Sequence, residues 1–169
     1  MSLPLAEFDR LVTEHGPSLF RLAYRLVGDR QEAEDILQDT FRSAWKSRDT
    51  FLSGGSERAW LVSILRRRVA DYWRRGKPPV ALASDSQIDA LSAPTDPLRN
   101  ELTDEVQQAL AQLPEELRET LLLVVVGELT HQEAADALNV PLGTVLSRVS
   151  RARKRLREYL LAIYANKKV

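Results

Sequence analysis

The feature that most constrains the fold of this chain is a segment near its middle that has neither a helical nor a strand period. Between Pro78 and Asn100 the sequence is rich in Pro, Ala, Ser and Asp, which is typical of a linker, with room for one short helical turn at residues 88–91. Fully extended, about two dozen residues reach ~80 Å at ~3.3 Å each. The sequence therefore predicts two small domains, residues 1–77 and 101–169, that could bind well-separated sites on one ligand.

The residues before this linker follow a helical period. Apolar residues recur at helical spacing in 5–12 and again in 19–26. Gly16-Pro17 lies between them and is expected to interrupt the helix. Asp29 is then a predicted N-cap, because Glu32 follows at the spacing of a capping box.

Two amphipathic helices are predicted after Asp29, because apolar residues keep to one face of each. The first has an inward face of Ala33, Ile36, Leu37, Thr40, Phe41, Ala44 and Trp45. Ser56 is the predicted N-cap of the second helix, which ends near Gly76. The inward face of the second is Trp60, Leu61, Ile64, Leu65, Val69 and Tyr72.

Helical periods return after the linker. One stripe, stopped by Pro114, is Leu102, Val106, Ala109 and Leu113, and the next is Leu117, Leu121, Leu122 and Val125. A long basic helix is predicted to run to about Tyr164. No segment alternates as a strand would. The predicted fold class is all-α, with two small helical domains.

Charge is segregated along the chain, although its net value is zero. Arginines dominate residues 66–77 and 148–157, whereas acidic residues dominate 29–39 and 101–119. Such segregation predicts two basic surfaces for an anionic partner and acidic surfaces for another. Cysteine is absent, which excludes disulfides and a thiolate zinc site. The sequence shows neither a membrane span nor a secretory leader, so we expect a cytoplasmic protein without membrane insertion of its own.

The layout of residues 130–157 is that of a helix-turn-helix. Thr130 and Glu133 form a capping box, Asn139 stands where the turn needs a left-handed residue, and Pro141 presets a helix start. The second helix has a predicted core face of Leu142, Val145, Val149, Ala152 and Leu156. Its predicted outer face near the N-terminus is Thr144, Ser147, Arg148 and Arg151. A basic run alone would favour a solvated helix in a bundle, but the cap, the turn and the outer polar set together favour DNA binding.

Longer strings in this half resemble domain 4 of bacterial sigma factors. They are Leu129-Thr130-His131-Gln132-Glu133-Ala134-Ala135, Val140-Pro141-Leu142-Gly143-Thr144-Val145-Leu146-Ser147-Arg148 and Arg151-Ala152-Arg153-Lys154-Arg155-Leu156. In that family, domain 4 binds the −35 promoter element and contacts the flap of the polymerase β subunit. The resemblance implies that the −35 element is bound by Thr144, Ser147, Arg148, Arg151, Lys154 and Arg155.

The first half is similar to sigma domain 2. The strings are Ala33-Glu34-Asp35-Ile36-Leu37-Gln38-Asp39-Thr40-Phe41, Arg58-Ala59-Trp60-Leu61 and Asp71-Tyr72-Trp73-Arg74-Arg75. In that family the acidic helix docks on the β′ clamp helices of core RNA polymerase, and the next helix and the loop before it melt and read the −10 element. The implied docking residues are Asp35, Gln38 and Asp39. The implied −10 residues are Ser53, Gly54, Gly55, Ser56, Arg66, Arg67, Arg74 and Arg75.

Both motif sets, in this order and without further domains, resemble the extracytoplasmic-function branch of the family. The resemblance implies three partners: core RNA polymerase, promoter DNA and an anti-sigma factor, often membrane-anchored, which could hold the chain at the inner membrane. A self-sufficient helix-turn-helix regulator remains the alternative, and it would bind duplex DNA tightly alone. An enzyme is not expected, since the two histidines have no ligand spacing and no Gly-rich phosphate loop occurs. We therefore expect no catalytic residue, metal or cofactor.

Overall fold

The computed structural model describes residues 3–51, 54–76 and 104–168. Within these ranges the chain forms seven α-helices and one short 3-10 helix, Arg48–Thr50, and no strand, so the predicted all-α class is confirmed. The helices are α1 Leu5–Val27, α2 Arg30–Lys46, α3 Glu57–Arg74, α4 Asp104–Gln112, α5 Glu115–Val125, α6 His131–Leu138 and α7 Leu142–Lys167. The predicted linker, 78–100, and its helical turn at 88–91 lie outside the described residues, as does Leu102.

α1 is a single helix, and the predicted interruption at Gly16-Pro17 is wrong. Proline removes only the hydrogen bond that its N–H would donate to the carbonyl of Thr13. Both Thr13 and Pro17 are exposed, so water can replace the missing donor. On the opposite face Leu11 and Leu19 are fully buried, and burial on both sides of the proline holds the helix together.

The junction between α1 and α2 follows the predicted local signals. Gly28 ends α1 in a left-handed conformation, with φ 76°, which glycine adopts without steric cost. The Asp29 side chain accepts a hydrogen bond of 2.9 Å from the Glu32 N–H and so caps α2. From the apolar face of α2, Trp45 meets Phe8 of α1 edge to face at 5.0 Å between ring centroids. α1 and α2 are therefore fixed as an antiparallel pair by a short turn and by aromatic packing.

α3 completes the first half and begins at the predicted cap, where the Ser56 side chain accepts a hydrogen bond from the Ala59 N–H. Five of the six residues predicted to face inward are buried: Leu61, Ile64, Leu65, Val69 and Tyr72. Trp60 is only partly buried, and its ring packs at a tilt of 41° against that of Phe51, with 4.9 Å between the ring centroids. The arginines of α3 therefore lie away from the core of this half.

The helix-turn-helix forms from α6 and α7 as predicted. Thr130 and Glu133 make both bonds of the capping box, and Asn139 is left-handed at φ 54°. Ala134 and Ala135 are buried, which lets α6 cross α7 closely. α7 is capped by Pro141 and runs three residues beyond Tyr164.

Two residues predicted in the core of the second half are exposed. Leu142 is 40% exposed and Val125 is 53% exposed. Leu142 is the first residue of α7, and the core begins one turn later at Val145, which is fully buried. α5 packs against α1 as well as α7, so its buried face turns toward Leu123, which is fully buried, and Val125 is left at the rim.

The two halves pack against each other across α1–α5 and α3–α6 contacts. Their buried residues form one continuous cluster. Gly127 belongs to this contact, because a Cβ added to it would lie 3.2 Å from Leu22 Cδ2 of α1, closer than ordinary van der Waals contact. The halves therefore touch in this structure, and binding to well-separated sites on one ligand stays a prediction.

Candidate polymerase and nucleic-acid interfaces

The outer face of α2 is acidic and exposed. Asp35 and Gln38 are exposed, and Asp39 is partly exposed. Asp35 accepts a hydrogen bond from Gln31, and Asp39 pairs with Arg42 at 3.1 Å on the same helix. The surface is available because the opposite face of α2 is buried against α1 and α3.

A cleft of about 320 Å³ lies where this acidic face meets α3. Asp35 and Asp39 line it on one side, and Arg68 and Arg75 line it on the other. Arg68 also lies 3.5 Å from Asp71 on its own helix. Acidic and basic groups thus meet at the boundary between the predicted docking face and the predicted −10 face.

The loop before α3 and the outer side of α3 contain the predicted −10 residues. Gly54 is exposed with φ 95°, a conformation that favours glycine. Gly55 and Ser56 are exposed beside it. Ser53 lies outside the described residues. The loop therefore presents small, accessible residues next to a basic helix.

Three of the four predicted −10 arginines are exposed and one is not. Arg67, Arg74 and Arg75 are exposed; Arg74 pairs with Asp71, and Arg67 bonds back to the Ser63 carbonyl. Arg66 is only 26% exposed, because its Nε lies 2.6 Å from Glu119. The basic surface of α3 is thus open at its C-terminal end and covered by the second half at Arg66.

The start of α3 meets two residues of α1, Arg10 and His15, in a contact that the sequence did not predict. Glu57, the first residue of α3, accepts a hydrogen bond of 2.8 Å from Arg10 and lies 3.5 Å from Nε2 of His15. The hydrogen bond to Glu57 raises the pKa of Arg10. His15 is buried, and neither ring nitrogen has a hydrogen-bond partner. The sequence did contain one indication of this burial: His15 follows Leu11 by four residues, and this spacing places the imidazole on the core face of α1.

α7 presents a polar outer face over a buried inner one. Ser147, Arg151, Lys154 and Arg155 are exposed, and Thr144 is partly exposed. Spacings of three and four residues place Ser147, Arg151 and Lys154 on one side of the helix. Val145, Val149 and Ala152 anchor the opposite side in the core.

Arg148 departs from its predicted outward position. Its side chain is 17% exposed and its guanidinium lies 3.6 Å from Glu116 on α5. A long side chain at the edge of a helix face can lie along a neighbouring helix while its charged end remains near water. Arg148 is therefore placed between the recognition face and α5 rather than on the recognition face.

A groove of about 600 Å³ crosses both halves, between α1, α4, α5 and α7. Its floor is apolar and includes Leu110, Leu122 and Val125. Arg21, Arg25 and Arg153 line it together with a single acid, Glu128. The sequence did not predict this groove, because its walls come from segments about a hundred residues apart in the chain.

No helix among the described residues is both long enough and apolar enough to cross a bilayer.

Comparison with protein families gives two matches in the order of the two halves. The family model "Sigma-70 region 2" matches residues 11–78, and "Sigma-70, region 4" matches residues 103–156. Together they account for most of the 169 residues.

Individual proteins and structures agree with these matches. The chain is 35% identical to the ECF RNA polymerase sigma factor SigE of Mycolicibacterium smegmatis over 92% of its own length and 62% of that protein's. It is 32% identical to SigW of Bacillus subtilis over 90% of its own length and 88% of that protein's. The structure resembles the sigma factor RpoE of Bartonella quintana, solved in complex with the anti-sigma factor NepR, with a TM-score of 0.74 and 30% identity over 92% of this chain and 98% of that one.

A second solved structure extends the likeness. CnrH in complex with the cytosolic domain of CnrY matches with a TM-score of 0.71 and 28% identity over 94% of this chain and 90% of that one. Both alignments cover the two halves together. With region 2 and region 4 in order and ECF relatives along nearly its whole length, this chain belongs to the sigma-70 family of RNA polymerase sigma factors, in the extracytoplasmic-function group.

Proposed function

We propose that this chain docks on core RNA polymerase and directs initiation at promoters whose −10 element is read by residues 1–77 and whose −35 element is read by residues 101–169, with 78–100 as the linker. The observation that carries the proposal is an exposed acidic face on α2 and an exposed basic recognition face on α7, each set opposite a buried core in one chain. A polymerase-docking surface and a DNA-reading surface are the two parts that a sigma factor needs. RNA synthesis itself belongs to the polymerase, so the chain acts as a specificity subunit and not as an enzyme.

Docking is assigned to Asp35, Gln38 and Asp39. The basic β′ clamp helices to which the family binds would meet complementary charge on this face, which accelerates encounter and fixes register. The packing of α2 against α1 supports this assignment, because a rigid helix presents the three side chains in a constant geometry.

Reading of the −10 element is assigned to the loop at 53–56 and to the arginines of α3. Small residues beside a basic helix can shape a pocket for a base that has left the stack. Arg67, Arg74 and Arg75 would hold the phosphates of the separated strand. Arg66 belongs to the same set once the second half has moved away from it.

Reading of the −35 element is assigned to α7. Thr144, Ser147 and Arg151 lie in its first turns, where a recognition helix meets base edges. Lys154 and Arg155 follow and would contact phosphates, which fix orientation. Arg148 would join them after release from Glu116.

Control by an anti-sigma factor is proposed on the likeness to two sigma factors that were solved with such partners. The groove between α1, α4, α5 and α7 supports it, since an apolar floor that spans both halves suits an amphipathic helix. The chain would then reside in the cytoplasm, held at the inner membrane when its partner is anchored there.

The test is to mix the purified chain with bacterial core RNA polymerase and to sequence the transcripts initiated on a genomic DNA library. We expect discrete start sites that share two upstream elements and that core polymerase alone does not use. Arg151→Gln should reduce initiation from these sites about 5- to 150-fold, the range for losing one base contact of about 1–3 kcal/mol. Arg157→Gln on another side of α7 removes the same charge and should leave initiation within about twofold, as a surface change does. A chain that adds no start sites but protects duplex DNA alone would be a self-sufficient regulator.

A further inference from the structure

The face of α7 that lies opposite its core consists of small residues near the start of the helix. Arg148 turns toward Glu116 of α5, so it leaves this face. The residues opposite the buried Val145 and Val149 are all exposed, and they are Gly143, Ser147 and Ser150. A Cβ added to Gly143 would meet no atom within 4 Å. The face is therefore open and allows another molecule to approach the helix closely.

Two leucines border this open face. Leu146 lies three residues after Gly143 and four before Ser150, so it adjoins both on the helix surface. Leu146 is 48% exposed, and Leu142, one turn earlier, is 40% exposed. Single exposed apolar side chains are common on protein surfaces. These two are neighbours, however, and they continue the face that is assigned to the −35 element.

The cations of α7 indicate how deeply the leucines would lie in DNA. Arg153 lies two turns after Leu146 on the same side of the helix, and Arg155 lies on the other side. Both arginines are exposed. They can therefore reach the phosphates of the two strands that form the walls of the groove. The turns before them, which contain Leu146, would then enter the groove and meet the base edges.

The chemistry of the major groove indicates what Leu146 would contact. The groove is about 12 Å wide, and a helix with its side chains is about 10–12 Å across, so residues that border the open face also meet base edges. These edges present hydrogen-bond donors and acceptors, and thymine adds an apolar C5-methyl group. A leucine packed on a donor or acceptor would remove it from water without bonding it, which is unfavourable. Against a methyl group, both partners bury apolar surface.

We propose that Leu146 is a specificity-determining residue of the −35 interface, where it packs on the C5-methyl group of one thymine and makes the chain prefer thymine at that position. Leu142, one turn earlier, extends the apolar surface beside the contact. This inference rests on the proposed function, because it assumes that α7 enters the major groove of the −35 element. It adds an apolar contact to an interface whose other assigned residues are polar or charged.

The test removes the methyl group from the DNA. In a promoter found by start-site mapping, each thymine of the −35 element, on either strand, is replaced singly by deoxyuridine, which keeps the O4 acceptor and lacks the methyl group. Initiation is measured with the chain and core polymerase at limiting concentration. We expect one position at which uracil lowers the initiation rate about fourfold, the factor that corresponds to about 0.8 kcal/mol for one buried methyl-sized group.

Leu146→Ala links this effect to the protein. At the sensitive position the ratio of rates on thymine and uracil should fall below about twofold, the scatter expected of groups that do not touch. The matched control is Leu161→Ala, which makes the same change at a 61% exposed leucine near the other end of α7. The control should keep the fourfold ratio. Leu146→Gln, which retains the length of the side chain, should lose the ratio as Leu146→Ala does.

The uracil series alters only the DNA, so its result with the unmodified chain does not depend on the folding of a variant. Three results would overturn the proposal: no thymine that responds to uracil, a response that survives in both Leu146 variants, or a response that is lost in Thr144→Ser instead. The last result would assign the methyl contact to Thr144. Initiation without a Leu146-dependent response refutes this inference alone, whereas absent initiation refutes the proposed function.

Discussion

Replacing Asn139 by alanine tests how the turn of the helix-turn-helix is built. Asn139 follows α6 with φ 54° and ψ 47°, and the next N–H, that of Val140, donates to the Ala135 carbonyl at 3.1 Å. This hydrogen bond, from an N–H to the carbonyl five residues earlier, is characteristic of a Schellman motif. The motif needs a left-handed residue at the Asn139 position. The direction in which α7 leaves the turn depends on that residue.

The expected size of the effect follows from the backbone. A left-handed conformation costs an ordinary L-residue about 1–2 kcal/mol, and asparagine or glycine largely avoids this cost. Alanine has no polar side chain to compensate. Glycine adopts the conformation freely but leaves a less restricted unfolded chain, which costs roughly 0.5 kcal/mol. Asn139→Ala should therefore lower the free energy of unfolding by about 1 kcal/mol, while Asn139→Gly should stay within about 0.5 kcal/mol of the original.

Urea titration followed by circular dichroism at constant pH and salt measures both variants against the parent chain. The same variants can be scored for initiation with core polymerase, where Asn139→Ala should lose activity only to the extent that the turn unfolds. An alanine variant as stable as the glycine variant would refute the reasoning, because the left-handed turn would then impose no steric requirement at this position.

Three further outcomes are expected in urea titrations. The pKa of Glu133 is lowered in the folded chain, so its carboxylate stabilises the fold above the ordinary glutamate pKa of 4.5, and this stabilisation is lost as the pH falls through the lowered pKa. The parent chain should thus lose more stability below pH 4.5 than Glu133→Gln. Equal losses would contradict the contacts of Glu133 with Ser56 and Thr130. His15→Leu should raise the free energy of unfolding by about 1 kcal/mol, since it removes a buried group without a hydrogen-bond partner; a decrease would mean that the imidazole is bonded to Glu57. Leu123→Ala should lower it by about 3 kcal/mol, as a cavity in a fully buried site does, and a loss below about 1 kcal/mol would place Leu123 outside the core.

Local signals predicted much of the fold. Asp29, Ser56 and Thr130 each cap a helix where the sequence expected one, and Asn139 adopts the predicted left-handed turn. These predictions are confirmed because a cap or a turn depends on residues within four positions of each other. The predicted interruption of α1 at Pro17 is wrong for the opposite reason, because burial of distant parts of α1 outweighs one lost hydrogen bond.

Contacts between the halves could not be predicted in the same way. Arg66 meets Glu119, 53 positions away, and no periodicity in either segment indicates that pairing. The partial burial of Arg148 and the exposure of Val125 have the same origin, because α5 has neighbours on more than one side. The outer faces predicted on α2 and α7 depend only on which face of a helix is apolar. Apart from Arg148 and the partly exposed Asp39 and Thr144, their residues are exposed.

The most direct test of the central claim is a footprint of the chain on the promoters that start-site mapping identifies, with and without core polymerase. A sigma factor of this design should protect nothing detectable alone at physiological salt and, with core polymerase, should protect both upstream elements on the same DNA molecule. Protection of one element by the chain alone, unchanged when core polymerase is added, would contradict the account and identify a self-sufficient regulator.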